Sequence, residues 1–88
     1  MPNGQVPESF ADQCHAVWRN ILAILNAAGM PPTNIVKLTT FLTDREQATL
    51  NGEIRREYLV DHQPAITVMV AQTLTAPWLL EIEAIAMA

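Results

Sequence analysis

The sequence predicts a single α+β domain in which two helices pack on one face of a mixed, three-stranded sheet. Apolar residues recur every three or four positions in the first third of the chain, which is the period of an amphipathic helix. Two later segments are rich in β-branched residues, which is typical of strands. Prolines, glycines and capping residues separate these segments without leaving room for a linker, so residues 1–88 form one domain of order α-β-α-β-β.

The first helix is predicted from Phe10 to Ala28. Ser9, followed three residues later by Asp12, resembles a capping box with aspartate in place of the usual glutamate or glutamine. Gly29, which precedes two prolines, is a typical stop signal. The apolar side chains step by three and four positions and therefore share one helical stripe. They are Phe10, Cys14, Val17, Trp18, Ile21, Leu22, Leu25 and Ala28.

A strand and a second helix follow. The segment from Asn34 to Thr43 is rich in β-branched residues and predicts a strand with at least one buried face. Asp44 comes next at the position of a helix cap, and Gln47 completes a capping box. The candidate inner positions of the second helix are mostly apolar. They are Ala48, Leu50, Ile54, Tyr58 and Leu59.

Two more strands are predicted after Pro64, at residues 65–74 and 78–87, with a turn between them. A right-handed crossover favours parallel pairing of the first of these with Ile35–Leu42, and the short turn predicts that the last two strands form an antiparallel hairpin. Two helices can cover one face of such a sheet. The other face and one long edge stay exposed, so we expect subunits to associate.

Composition excludes several classes of function. A domain of 88 residues is marginally stable alone, which also predicts oligomerisation. A formal charge of −4 with five lysines and arginines argues against a nucleic-acid partner. No apolar run reaches the roughly 20 residues of a membrane span, so no membrane partner is expected. Residues 1–5 lack a secretory signature and Cys14 is the single cysteine, which together predict a cytoplasmic protein.

Several segments occur in a characteristic order along the chain. They are Gly4-Gln5-Val6-Pro7, Ala27-Ala28-Gly29, Asn34–Asp44, Asn51, Asp61–Val70 and Glu81–Ala86. In this order they resemble the reactive intermediate deaminase (RidA, YjgF-like) family nearly end to end. The resemblance implies a chorismate-mutase-like α+β fold, a homotrimer whose sheets face a central barrel, and small-molecule clefts between subunits. The family normally has strands before the part that matches Gly4-Gln5, so the resemblance implies a fold that lacks them.

The resemblance also implies a site. The family's deaminases have Pro-Ala-Arg where this chain has Pro64-Ala65-Ile66, and their arginine binds the substrate carboxylate. A glutamate that matches Glu81 positions the attacking water, so Glu81 is the implied catalytic residue. Ala65, Ile66, Thr67 and Asn51 are the implied ligand-binding residues. Isoleucine cannot form the arginine's paired hydrogen bonds, so we expect 2-imino acid deaminase activity to be weak or absent.

Three hypotheses stay open at this point. The first, which we favour, is a family protein that binds a small metabolite in an intersubunit cleft without efficient deamination of 2-imino acids. The second is an enamine or imine deaminase, a hydrolase, that acts on a different substrate through Glu81. The third is a subunit that works only beside a longer family member, which supplies the missing strands.

Other candidate site residues have simpler explanations. Glu81 and Glu83 share one side of their strand and could act as an acid–base pair, but they are equally compatible with a solvated face or a subunit boundary. The adjacent Asp61 and His62 have no serine or cysteine nucleophile at a suitable spacing. Cys14 and His15 are neighbours on a helix and face different directions. With only two histidines and one cysteine, no metal or other cofactor is predicted.

Overall fold

The α+β class and the element order predicted from sequence are confirmed. The structure, a computed structural model, describes residues 7–88; the Gly4-Gln5-Val6 segment lies outside the described residues. The elements are helix α1 (Phe10–Ala27), strand β1 (Ile35–Leu42), helix α2 (Ala48–Leu59), strand β2 (Ala65–Val70) and strand β3 (Leu80–Ala86). Within this described part, no helix combines the length and apolar character needed to cross a bilayer.

Helix α1 has the caps and the buried stripe that its sequence predicts. The hydroxyl of Ser9 accepts a hydrogen bond from the backbone N–H of Asp12 at 3.1 Å. After the helix, Gly29 adopts a φ of 73°, in the left-handed region that favours glycine. The apolar core residues of this helix are Cys14, Trp18 and Leu25.

The capping box before α2 is also confirmed. The carboxylate of Asp44 accepts from the backbone N–H of Glu46 at 2.8 Å, and the Gln47 side chain accepts from the N–H of Asp44 at 3.2 Å. The box first closes a 3₁₀ turn over Arg45–Gln47, and α2 begins immediately after it. Local side-chain chemistry therefore starts this helix as expected.

The predicted inner face of α2 is wrong for two residues. Ala48 and Leu50 are exposed, whereas Ile54 and Leu59 are buried as expected. The inner face instead includes Asn51, which is 2% exposed. Asparagine can occupy this position because its side-chain oxygen has a hydrogen-bond partner on α1, which reduces the cost of burying the amide.

The sheet has the strand order β2-β1-β3, with β1 at its centre. β1 and β2 are parallel, as predicted. The predicted hairpin of the last two strands is wrong, because β3 pairs antiparallel with β1 instead of with β2. The connection 71–79 passes the end of β1, where Ala71 donates to the Leu42 carbonyl and Thr43 donates to the Leu79 carbonyl. Pairing with β1 allows Leu80 to be buried in the core under the helices.

A buried glutamine holds this connection in place. Gln13, which is 1% exposed, donates through its side-chain nitrogen to the carbonyls of Pro7 at 2.7 Å and Pro77 at 2.9 Å. Its side-chain oxygen accepts from the backbone N–H of Leu79 at 2.8 Å. One side chain of α1 therefore ties together the segment before the helix and the segment that leads into β3.

The two faces of the sheet differ in cover. Side chains of paired residues point to the same face, so the register assigns each residue a side. On the helix side lie Leu38, Thr40 and Leu42 of β1, Ile66, Val68 and Val70 of β2, and Leu80, Ile82 and Ala84 of β3. We call the other side the open face. It carries Lys37, Thr39 and Phe41 of β1, Ala65, Thr67 and Met69 of β2, and Glu81, Glu83 and Ile85 of β3.

Candidate functional site

Glu81, the implied catalytic residue, lies on the open face of β3. It pairs with Phe41 of β1, and Glu83 pairs with Thr39 on the same side. Both glutamates are exposed. The structure therefore places two carboxylates side by side on an uncovered surface, as the two-residue repeat of a strand requires.

The implied ligand-binding residues of β2 divide between the two faces. Ala65 and Thr67 lie on the open face with Lys37, whose amino group donates to the Thr67 hydroxyl at 2.7 Å. Ile66 pairs with Leu38 and therefore points to the helix side, yet 38% of its surface is exposed because β2 is the edge strand. Sequence reasoning missed Lys37; a lysine within a strand rich in β-branched residues was the available signal.

One subunit does not bring Ile66 and Glu81 together. Ile66 lies at the level of Leu38 and Glu81 at the level of Phe41, on strands that flank β1 from opposite sides. Standard strand dimensions put their backbones about 10 Å apart along the sheet and about 10 Å across it. Their side chains also point to opposite faces, so a small ligand cannot touch both within one subunit.

Asn51 occupies the interior between the two helices. The Cys14 thiol donates to its side-chain oxygen across 3.9 Å, and both residues are buried. Within the subunit, Asn51 is therefore separated from the open face and from Glu81. Its assignment as a ligand-binding residue stays a prediction.

The same interior position suppresses ionisation of the cysteine. Burial, and secondarily the nearby Glu57 carboxylate, raises the pKa of the Cys14 thiol from 9.0 to about 11. A thiol that stays protonated is a poor nucleophile. Cys14 is therefore a structural residue on the apolar stripe, and it does not provide a nucleophile for the site.

The Cys14 pKa predicts a pH-dependent loss of stability. In the unfolded chain the thiol ionises near pH 9, whereas in the folded protein it stays neutral until about pH 11. The stabilising contribution is therefore complete below pH 9 and is lost as the pH rises to 11. We expect the free energy of unfolding, measured by urea titration, to fall over this interval. The slope should be smaller in Cys14→Ala, and an unchanged slope would contradict the assignment.

The two histidines have structural contacts. The Nε2 atom of His62 lies 2.7 Å from the Ile35 carbonyl, which ties the α2–β2 connection to β1. The Nδ1 atom of His15 lies 2.7 Å from the Tyr58 hydroxyl. Neither contact forms a catalytic relay. Within residues 7–88 there is no group of three or more His, Cys, Asp or Glu residues that could hold a metal ion.

A groove of about 550 Å³ follows the free edge of β3. Its lining includes residues of β3 from both faces of the sheet, so the groove wraps around that edge. The lining residues are Val17, Asn20, Ile21 and Ile24 of α1, Phe41 of β1, Leu74, Thr75 and Trp78 of the connection, and Leu80, Glu81, Ile82 and Glu83 of β3. Glu81 therefore belongs both to the open face and to the rim of this groove. The sequence gave no sign of the groove, because it is formed by residues distant in the chain.

Comparison with known proteins identifies a group with the same sequence pattern and fold. The sequence model of the family described as Endoribonuclease L-PSP matches residues 1–88. The RutC family protein BU371 of Buchnera aphidicola is 34% identical over 87 residues, which cover 96% of this chain and 68% of the relative. TdcF of Escherichia coli K12, which bears a reactive intermediate deaminase name, is 35% identical over 86 residues, with coverages of 94% and 67%.

Solved structures give the same picture. The structure of E. coli TdcF with bound serine has a TM-score of 0.91 and 30% identity, and the match covers 99% of this chain and 71% of that one. Yeast Mmf1 has a TM-score of 0.84 and 27% identity, with coverages of 92% and 65%. The chain thus spans about two thirds of the length of these relatives.

Proposed function

The chain belongs to the reactive intermediate deaminase (RidA, YjgF-like) family, and we propose that it binds a small metabolite in a cleft between subunits, with weak or no activity on 2-imino acids. The bound serine in the E. coli TdcF structure supports a small polar ligand. The family's activity is not carried over whole, because the chain spans only about two thirds of its relatives and has Ile66 where the resemblance implies an arginine.

The observation that carries the intersubunit cleft is the placement of Ile66 and Glu81 on opposite faces of one subunit. A ligand that contacts both residues must take them from two different subunits. Ile66 lies on one edge strand of the sheet and Glu81 on the other, so both are accessible to a neighbouring copy. The geometry therefore favours a site that is completed by assembly.

The open face supports the proposed assembly, a cytoplasmic homotrimer with its sheets facing inward. Met69 and Ile85 are 44% and 58% exposed there, and Phe41 lies between them. A domain of 88 residues that leaves such side chains in water gains stability by covering them. Lys37 and the pair Glu81 and Glu83 carry opposite charges on the same face, which can fix the orientation of neighbouring subunits.

The side chain of Ile66 determines the kind of ligand. It offers no hydrogen-bond donor and no charge, so a ligand carboxylate placed beside it would lose the hydration of its charge without compensation. Small ligands without a carboxylate at this position avoid that cost. We therefore propose a ligand that presents an apolar or uncharged group to Ile66.

The proposal is tested by comparing serine with its amide. Calorimetric titration should show no preference for serine, because no guanidinium is present at position 66 to select the carboxylate. A preference for serine of about 30-fold or more would match the loss of a buried charge pair and would contradict the proposal. The matched control is Ile66→Arg, in which the preference for serine should appear.

Lys37 supports the alternative function, an enamine or imine deaminase with a different substrate. Its amino group lies on the same face as Glu81 and contacts Thr67. This cation could hold an anionic substrate in place of the missing arginine. In that mechanism Glu81 accepts a proton from water as the water oxygen adds to the C=N carbon, and collapse of the adduct gives a carbonyl compound and ammonia.

The charge of the chain favours a small molecule over RNA as the ligand, although the matched family model is described as an endoribonuclease. The net charge is −4, and the chain has five lysines and arginines. Only Lys37 belongs to the sheet, and Arg55 and Arg56 lie together on α2. Binding to RNA phosphates depends on a continuous basic surface, so we propose no nucleic-acid partner, and also no membrane partner.

A further inference from the structure

The outer edge of β3 has no strand beside it among the described residues. β3 is hydrogen-bonded to β1 on one side and ends the sheet on the other. An edge strand presents a row of unpaired N–H and C=O groups, which is a template for another strand. Here the template runs along Leu80–Ala86.

The groove beside this edge has one apolar wall. Ile24 of α1 is 70% exposed, and Leu74 of the connection is 99% exposed. With Val17, Ile21 and Trp78 they line the helix side of the groove, next to Leu80 and Ile82 of β3. A strand laid along β3 would therefore place every second side chain against apolar surface.

The other wall of the groove is acidic. Glu81 and Glu83 are exposed on the open face of β3, and no lysine or arginine lines the groove. Side chains of an added strand that lie opposite these glutamates would point to the same face. Lysine or arginine at those positions would meet a carboxylate of opposite charge.

We infer that this groove binds an extended strand of a second polypeptide, in which apolar side chains alternate with basic ones. The strand adds to the sheet through main-chain hydrogen bonds to β3. Its apolar residues contact the helix side of the groove, and its basic residues contact Glu81 and Glu83. Affinity then comes from the backbone and specificity from the alternating side chains.

The position of the chain's N-terminal segment agrees with such a strand. Gln13 binds the carbonyl of Pro7 and also groups of Pro77 and Leu79, so Pro7 lies beside the start of β3. The relatives have about a third of their length outside the part that this chain matches. A segment that occupies the same place in this protein from another chain would reach the β3 edge directly.

A second copy of this chain fits the groove less well. Its free edge strands are β2 and β3, and neither contains a lysine or arginine. Lys37 belongs to the central strand β1 and cannot be offered as an edge. Charge therefore favours a different polypeptide over self-pairing through β3.

The test uses the whole chain and three synthetic peptides of about eight residues, a common strand length. One alternates valine with lysine, one has the same residues in two blocks, and one alternates valine with glutamate. Backbone NMR and amide exchange report protection of Leu80–Ala86. We expect the alternating valine–lysine peptide to protect these amides and to bind at least about fivefold tighter than the other two. Equal binding by the block peptide, or no protection of β3, would overturn the inference.

Variants of the groove separate docking from general charge attraction. Ile24→Glu should weaken binding of the valine–lysine peptide, whereas Met87→Glu, at a residue that is 65% exposed and does not line the groove, should not. Glu83→Lys should shift the preference toward the valine–glutamate peptide. If the β3 amides are already fully protected in the protein alone, its edge is covered by self-association and the inference is wrong.

Discussion

Replacing Ile66 by arginine is expected to raise the turnover of an amino-acid-derived imine by about one and a half to three and a half powers of ten. The reason is that a guanidinium would pair with the substrate carboxylate, and the absence of one partner of a buried charge pair costs roughly 2–5 kcal/mol. The native residue is 38% exposed on an edge strand, so the longer side chain has room. The lifetime of an imine generated in situ by an amino-acid oxidase measures the effect.

Three further variants locate the effect. Val68→Arg introduces the same charge two residues along the same side of β2 and should not raise turnover. Ile66→Lys should raise it less than Ile66→Arg, because an ammonium group lacks the paired donors of a guanidinium. Adding Glu81→Gln to Ile66→Arg should abolish the gain, since the water would lose its proton acceptor.

The unmodified protein decides between the proposed functions in the same assay. We expect it to leave the imine lifetime nearly unchanged. If it shortens that lifetime catalytically, the proposal of a metabolite-binding protein is wrong and the hydrolase alternative holds. The substrate would then be anchored by a group other than residue 66, for which Lys37 is the cation on the open face.

Replacing Gln13 by leucine is expected to lower the free energy of unfolding by about 2–4 kcal/mol. The substitution keeps a similar volume but leaves the Leu79 N–H and the carbonyls of Pro7 and Pro77 without their side-chain partner. An unsatisfied buried backbone group costs about 1–3 kcal/mol, and partial access of water reduces the sum. Urea denaturation followed by circular dichroism measures the change.

The control for this variant is Asn26→Ala, which removes an exposed amide from the same helix. Its effect should stay within about 0.5 kcal/mol. A loss of less than about 0.5 kcal/mol in Gln13→Leu would show that the connection 71–79 is held by other contacts. In that case the position of β3 would not depend on α1 through this side chain.

The sequence by itself determined the local structure of this protein. The stripe of α1, the cap at Ser9, the stop at Gly29 and the capping box at Asp44 all depend on residues within about four positions of one another. The chain order of the strands and the parallel pairing of β1 with β2 followed from the same patterns and from the handedness of crossovers. Such features can be predicted because they do not require knowledge of distant residues.

The tertiary structure decided which elements meet. β3 could satisfy its backbone against β2 or against β1, and only β1 also lets Leu80 enter the core. Burial of Asn51 likewise depends on a thiol 37 positions away, and Gln13 acts through residues up to 66 positions away. These choices follow from competition for burial and hydrogen bonds between distant segments, which local periodicity does not contain.

The same distinction applies to the candidate site. The sequence identified Ile66 and Glu81 through resemblance to a family and placed Glu81 and Glu83 on one side of their strand, which the register confirms. Only the strand order showed that Ile66 and Glu81 lie at opposite edges and on opposite faces of the sheet. The physical reason is that strand pairing fixes both the edge and the face of every side chain, and pairing is set by long-range burial of the sheet against α1 and α2.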